Sequence, residues 1–180
     1  MYNGSMSMRR WLVGGAVVVA AAALATEGLF FATDESPAGV FDGASDTGTV
    51  PVVLFYYDAE LDKDAEGNVQ CGEAGMVPVG REILVSKTPI QDAVSLLLRG
   101  GVTPDEARKG LSTGFPLPGV ALTGASLHDG ELTLSFADPG NRTSGGSCRA
   151  KLLWTQIAMT AKQFPDVQRV RFAPEYLFQP

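Results

Sequence analysis

SCRAKLLWTQIAMTAKQFPDVQRVRF, residues Ser147–Phe172, carries a helix, a stop and a strand in one stretch. Leu153, Ile157, Ala161 and Phe164 recur at helical spacing, and Trp154 and Ala158 widen the apolar stripe. Lys151, Gln156, Lys162 and Gln163 fall outside that stripe and are expected to stay in water. Pro165 cannot continue a helix, and Pro165-Asp166 suits a turn. Beyond the turn Gln168, Val170 and Phe172 share one strand face, and Arg169 and Arg171 share the other. A helix with one apolar face, followed at once by a half-buried strand, is half of an α+β layer.

Upstream, the partner elements of that layer can be found in turn. Val50 to Tyr57 is a continuous β-branched and aromatic run, which predicts a buried strand. Met76 to Val85 predicts a second, with Pro78 and Gly80 marking an edge or bulge. Thr88-Pro89-Ile90-Gln91 opens a helix, with Thr as cap and Pro at the first position. Ile90, Ala93, Val94, Leu97 and Leu98 give it an apolar face, and Gly100-Gly101 ends it. Thr103-Pro104-Asp105-Glu106 starts a shorter helix, stopped by Gly110. A Pro- and Gly-rich connector over Leu111–Gly119 leads to a hairpin of Val120–Leu127 and Glu131–Phe136 around Asp129-Gly130. The fold class expected is therefore α+β: a small mixed or antiparallel sheet with two main helices on one face, in the order β-β-α-(short α)-β-β-α-β.

The composition, 45% hydrophobic and 19% charged, suits a chain that buries a core, and a net charge of −6 argues against nucleic-acid binding. The acidic residues concentrate between Asp58 and Glu73. Arg9 and Arg10 precede an apolar run from Trp11 to Ala25 that closes on Ala23-Leu24-Ala25, the charged, apolar and small-x-small pattern of an export signal. A cleaved signal and an uncleaved membrane anchor both fit, and either places the domain outside the cytoplasm. Residues 1–32 are assigned to that segment, 33–49 to a Gly-, Ser- and Pro-containing linker, and 50–180 to the domain. The only cysteines, Cys71 and Cys148, are an even pair, and in an oxidising compartment they are expected to form a disulfide. Such a bond would stabilise the fold by about 2–4 kcal/mol. The alternative is a reactive thiolate at Cys148, favoured by a helix N-terminus but lacking a C-x-x-C partner.

The order of these motifs resembles the GerMN domain family of sporulation and spore germination. Leu54-Phe55-Tyr56 followed by Val77-Pro78-Val79-Gly80-Arg81-Glu82-Ile83 is similar to the family's opening strands. Ala93–Gly100, Thr103–Glu106 and Gly110–Thr113 resemble its central helix and connector. Asp129-Gly130 with Leu132–Phe136, then Gln156 through Phe164-Pro165-Asp166-Val167 to Val170-Arg171-Phe172, resemble its second half. The resemblance implies an extracytoplasmic α+β module, secreted, periplasmic or anchored to the cytoplasmic membrane, similar to ring-building folds and lacking catalytic residues. The chain as a whole reads as a non-enzymatic exported interaction module, with an envelope protein partner or self-association expected, peptidoglycan as the alternative ligand and no cofactor. The membrane would be met only through an uncleaved N-terminal segment. Two features depart from the family pattern: the long acidic loop between the first strands, and Pro174–Phe178 where a glycine-containing turn is usual.

Three motifs carry candidate chemistry. Asp62, Asp64, Glu66 and Asn68, closed by Glu73 at the twelfth position, approximate a calcium loop. Strands rather than helices flank it, which favours a solvated acidic hairpin. Gly110-Leu111-Ser112-Thr113-Gly114 spells G-x-S-x-G, but a helix precedes it where a nucleophile elbow needs a strand. The single histidine, His128, sits beside a turn and cannot complete a histidine-based metal cluster. Tyr56, Tyr57, Trp154 and Phe164 are expected in the core rather than on a sugar-binding face.

Overall fold

The long apolar run after the linker forms β1 (Thr49–Asp58), which pairs antiparallel with β2 (Met76–Leu84) from Thr49↔Leu84 to Tyr57↔Met76. The computed structural model describes residues 48–179; the export segment expected over 1–32 and residues 33–47 of the linker lie outside them. Burial alternates along β1. Val52, Leu54 and Tyr56 are buried, whereas Val53 and Phe55 on the opposite face are only half-buried. The run is thus a one-sided strand, not one covered on both faces. Pro78 lies opposite Phe55, and β2 is the outer strand of its sheet, as a proline in a strand requires.

Helix α1 (Pro89–Leu98) buries Ala93, Val94 and Leu97 against β1. Its end needs Gly100: φ is +80°, and a Cβ there would meet the Phe115 carbonyl oxygen at 2.9 Å. Thr88 caps no backbone amide; its hydroxyl and that of Ser86 gather on the Asp92 carboxylate instead. Helix α2 (Pro104–Arg108) has the full reciprocal capping box between Thr103 and Glu106. The connector then contributes a two-residue strand, β3 (Leu111–Ser112), beside Tyr57 and Asp58 of β1.

The second sheet begins with the expected hairpin of β4 (Ala121–His128) and β5 (Glu131–Ala137). Asp129 and Gly130 have φ of +48° and +76°, the left-handed pair that a tight two-residue turn demands. Helix α3 (Ser147–Lys162) carries the chain across to β6 (Arg169–Ala173), which joins β5 in parallel. The expected single sheet is therefore two three-stranded sheets, β2-β1-β3 and β4-β5-β6, with α1 and α3 packed together and each touching both. Leu54, Tyr56, Leu97, Leu134, Phe136, Leu153, Ile157 and Phe172 form the shared core. The C-terminal departure joins it. Leu177 and Phe178 are buried, and the Phe178 ring lies 5.1 Å from both Phe136 and Phe172. Cys71 and Cys148 form a disulfide with Cα atoms 5.3 Å apart, so Cys148 is not a free thiolate.

Candidate functional site

Gln156 and Thr160 of α3 and Gln163 at its C-cap recur four and three residues apart and face the edge of β1 that, among the described residues, no long strand covers. Gln163 acts on Val53 as a strand would: Oε1 accepts from the Val53 N–H at 2.7 Å and Nε2 donates to its carbonyl at 2.8 Å. Thr160 Oγ1 accepts from the Phe55 N–H at 3.3 Å, and Gln156 Nε2 donates to the Phe55 carbonyl at 3.0 Å. The Thr113 hydroxyl completes Gln156 by donating to Oε1 at 3.2 Å. Gln156 and Gln163 were expected in water; instead Gln156 is 1% exposed and Gln163 half-buried. An open backbone edge in a low-dielectric setting needs such partners, which the helix supplies. Lys151 and Lys162 are exposed as expected.

This seam brings the half-buried side chains of Val53 and Phe55 alongside the outer flank of α3. Between them lies an open apolar groove of about 450 Å3, with Pro78, Trp154, Ala158 and Met159 as further lining and Glu73 and Lys162 among its polar members. Trp154 rests edge-on against Phe172, ring centres 6.0 Å apart, but is only half-buried. Of the four aromatics expected in the core, Tyr56 and Tyr57 are buried, while Trp154 and Phe164 are partly exposed. The legible signal for the groove is the unbroken apolar run of β1, whose second face has, among the described residues, only the flank of α3 beside it.

The ionic network on the opposite face of the first sheet is structural. Arg81 donates to Glu106 at 2.8 Å and to the Gly101 carbonyl at 3.1 Å, and its guanidinium lies 5.5 Å from the Tyr56 ring centre. The Arg81 hydrogen bond, with the Thr103 amide, holds the Glu106 carboxyl down at about 2.

The remaining sequence candidates fall in separate places. Asp62 is 2% exposed and its Oδ2 accepts from the Tyr57 hydroxyl at 2.7 Å and the Gly72 N–H at 2.8 Å. Burial, then the Asp62 contact, pushes the Tyr57 phenol up. Asp64 accepts from the Asn68 N–H at 2.7 Å and from Gln70 Nε2 at 2.6 Å, and the Asn68 amide holds its carboxyl below the usual range. Glu66, Asn68 and Glu73 are exposed. A Lys63↔Val69 bridge makes the loop a small hairpin, and among the described residues no three His, Cys, Asp or Glu side chains converge on a metal position. Ser112 donates its hydroxyl to the Tyr57 carbonyl at 3.0 Å, and among the described residues no histidine or carboxylate lines the cleft beside it. His128 is on the other sheet, exposed, with Nδ1 2.9 Å from Asp129. Arg169 and Arg171 are exposed and pair with Glu131 at 3.3 and 3.4 Å.

A family model described as "Germane: Sporulation and spore germination" matches residues 54–175. Among solved structures, the tandem GerMN domains of the sporulation protein GerM from Bacillus subtilis match with a TM-score of 0.52 at 23% identity, covering 81% of this chain and 45% of that one. The first GerMN domain of the same protein matches with a TM-score of 0.47 at 15% identity, covering 68% of this chain and 80% of that one. The chain thus spans less than half of the tandem structure, and that likeness is one of fold. No curated protein matches the chain.

Proposed function

The chain belongs to the sporulation and spore germination family that the Germane model describes, and on that premise we propose that it is a non-catalytic interaction module working at the bacterial cell envelope. Its role is to assemble with an envelope protein partner, or with itself, through the groove between β1 and α3. The observation that carries this reading is the groove's apolar floor of Val53, Phe55, Trp154 and Met159, held in place by the hydrogen-bonded seam behind it. An exposed apolar surface with an aromatic anchor and a polar rim is the usual anatomy of a protein contact. The disulfide supports an oxidising compartment outside the cytoplasm, in keeping with the arginine-led apolar run at the N-terminus. Delivery is by a cleaved signal or an uncleaved anchor.

A wall-binding role is the second reading, favoured by the half-exposed indole of Trp154, which offers a sugar ring a flat apolar face. Catalysis at Ser112 is not proposed, because its hydroxyl is committed to a backbone carbonyl. The test is crosslinking in intact cells and affinity recovery of the tagged full-length protein, wild type beside Met159→Glu. Recovery of one or two envelope proteins, or of self-adducts, falling at least tenfold in the variant at unchanged thermal stability, is the expected result. Equal recovery by the two proteins sinks the groove, and recovery of wall fragments alone transfers the role to glycan binding.

A further inference from the structure

The disulfide ties the acidic loop after β1 to the first turn of α3, closing a separation of 77 residues, and a chain of contacts runs from it to a second cleft. Beside Cys71, the Gly72 N–H donates to Asp62 Oδ2 at 2.8 Å, and the same oxygen accepts from the Tyr57 hydroxyl at 2.7 Å. Tyr57 and Cys148 both line a cleft of about 450 Å3 with Ser112, Thr113, Gly114 and Leu153. Disulfide, Gly72, Asp62 and Tyr57 therefore form a circuit that begins and ends at this cleft. Cys148 is an exposed residue and Cys71 a half-buried one, so the bond lies at the surface of the domain and not in its core. Cys71 has φ of +54°, a left-handed conformation unfavourable for a side chain with a Cβ, which its surroundings must hold in place.

We propose that this disulfide is a redox latch: a dithiol reduces it without unfolding the domain, frees the acidic loop from α3 and opens the cleft at Tyr57. One thiolate of the dithiol attacks the Cys71 sulfur, and the Cys71–Cys148 bond breaks. Cys148 leaves as a thiolate at the first turn of α3, where the helix N-terminus favours negative charge. The second dithiol sulfur attacks the mixed disulfide, expels the Cys71 thiolate and closes the reagent's own disulfide. Two electrons pass to the cysteine pair, and the two thiol protons of the reagent end on Cys71 and Cys148. The loop moves as a unit because its internal bonds, Asp64 to Asn68 and Gln70 and the Lys63↔Val69 bridge, do not involve either cysteine. The seam of Gln163, Thr160 and Gln156 on β1 is likewise independent of the loop.

The test treats the full-length protein with dithiothreitol, counts thiols by alkylation and mass, and follows amide hydrogen exchange. Both cysteines are expected to become alkylated while circular dichroism and the Val53 and Phe55 amides are unchanged. The Gly72 amide beside Cys71 should exchange at least tenfold faster, while the Gln70 amide, bonded to the Asp62 carbonyl within the loop, stays protected. The Cys71→Ser/Cys148→Ser variant should reproduce the reduced pattern without reagent. A bond that survives until the protein unfolds, a reduced protein with an unchanged loop, or global unfolding on reduction each overturns the latch.

Discussion

The two sheets close their central strands in different ways. In β4-β5-β6, strand β5 has a strand on each side, and the alternation of Leu132, Leu134 and Phe136 with Glu131, Thr133 and Ser135 announces it. In β2-β1-β3, strand β1 is fully paired on one side but meets only Leu111 and Ser112 on the other. The Val53 and Phe55 backbone groups on that side are satisfied by helix side chains. Backbone pairing is obligatory in both sheets, but only one of them achieves it with backbone. The helix-sealed side is also where the apolar groove lies, so the unusual closure and the proposed contact surface are the same feature.

The largest effect should come from the conventional sheet. Leu134→Ala removes a fully buried side chain between two paired strands and is expected to cost about 3 kcal/mol in urea unfolding. Gln163→Ala should follow at about 2 kcal/mol, since it strands the Val53 N–H and carbonyl. Its signature is local: Val53 amide exchange accelerates while the β4–β5 hairpin amides stay protected. Equal loss of protection in both sheets would erase the distinction between them.

Acid should sharpen the contrast further. The Glu106 carboxyl sits at about 2 in the folded protein against an ordinary 4.5, so its stabilising contribution is complete above pH 4.5 and is lost as pH falls towards 2. With one face toward solvent, the Arg81 pair is expected to contribute about 1 kcal/mol. Glu106→Gln should therefore lower stability at pH 7 by that amount and flatten the melting temperature between pH 4.5 and 2. The smallest effect belongs to the exposed pairs of the second sheet: Arg171→Ala should leave the urea midpoint and the melting temperature unchanged.

What could be seen in the sequence was local. The Asp129-Gly130 turn, the Thr103–Glu106 capping box, the α3 stripe and the even cysteine pair each declare themselves within a few residues or by elimination. What could not be seen depends on distant partners. Gln156 and Gln163 are indistinguishable from solvated glutamines until β1 is placed beside them, although their spacing with Thr160 is helical. The division into two sheets turns on β1, which pairs with β2 and the two-residue β3 and with none of β4, β5 and β6, a choice of partner that no local pattern announces. Leu177 and Phe178 follow Pro174 without any period, so their burial could not be anticipated. The unbroken apolar run of β1 suggested cover on both faces, and the groove exists because one face has only the flank of α3.

The most direct test of the account places a photo-activatable crosslinking residue at Met159 in the groove, with His128 on the exposed hairpin turn as the comparison site, and irradiates intact cells. The account predicts a discrete protein adduct, or a self-adduct, from position 159 and none from position 128. No adduct at 159, or the same adducts at both positions, would contradict the claim that the helix-sealed edge of β1 is where this protein meets its partner.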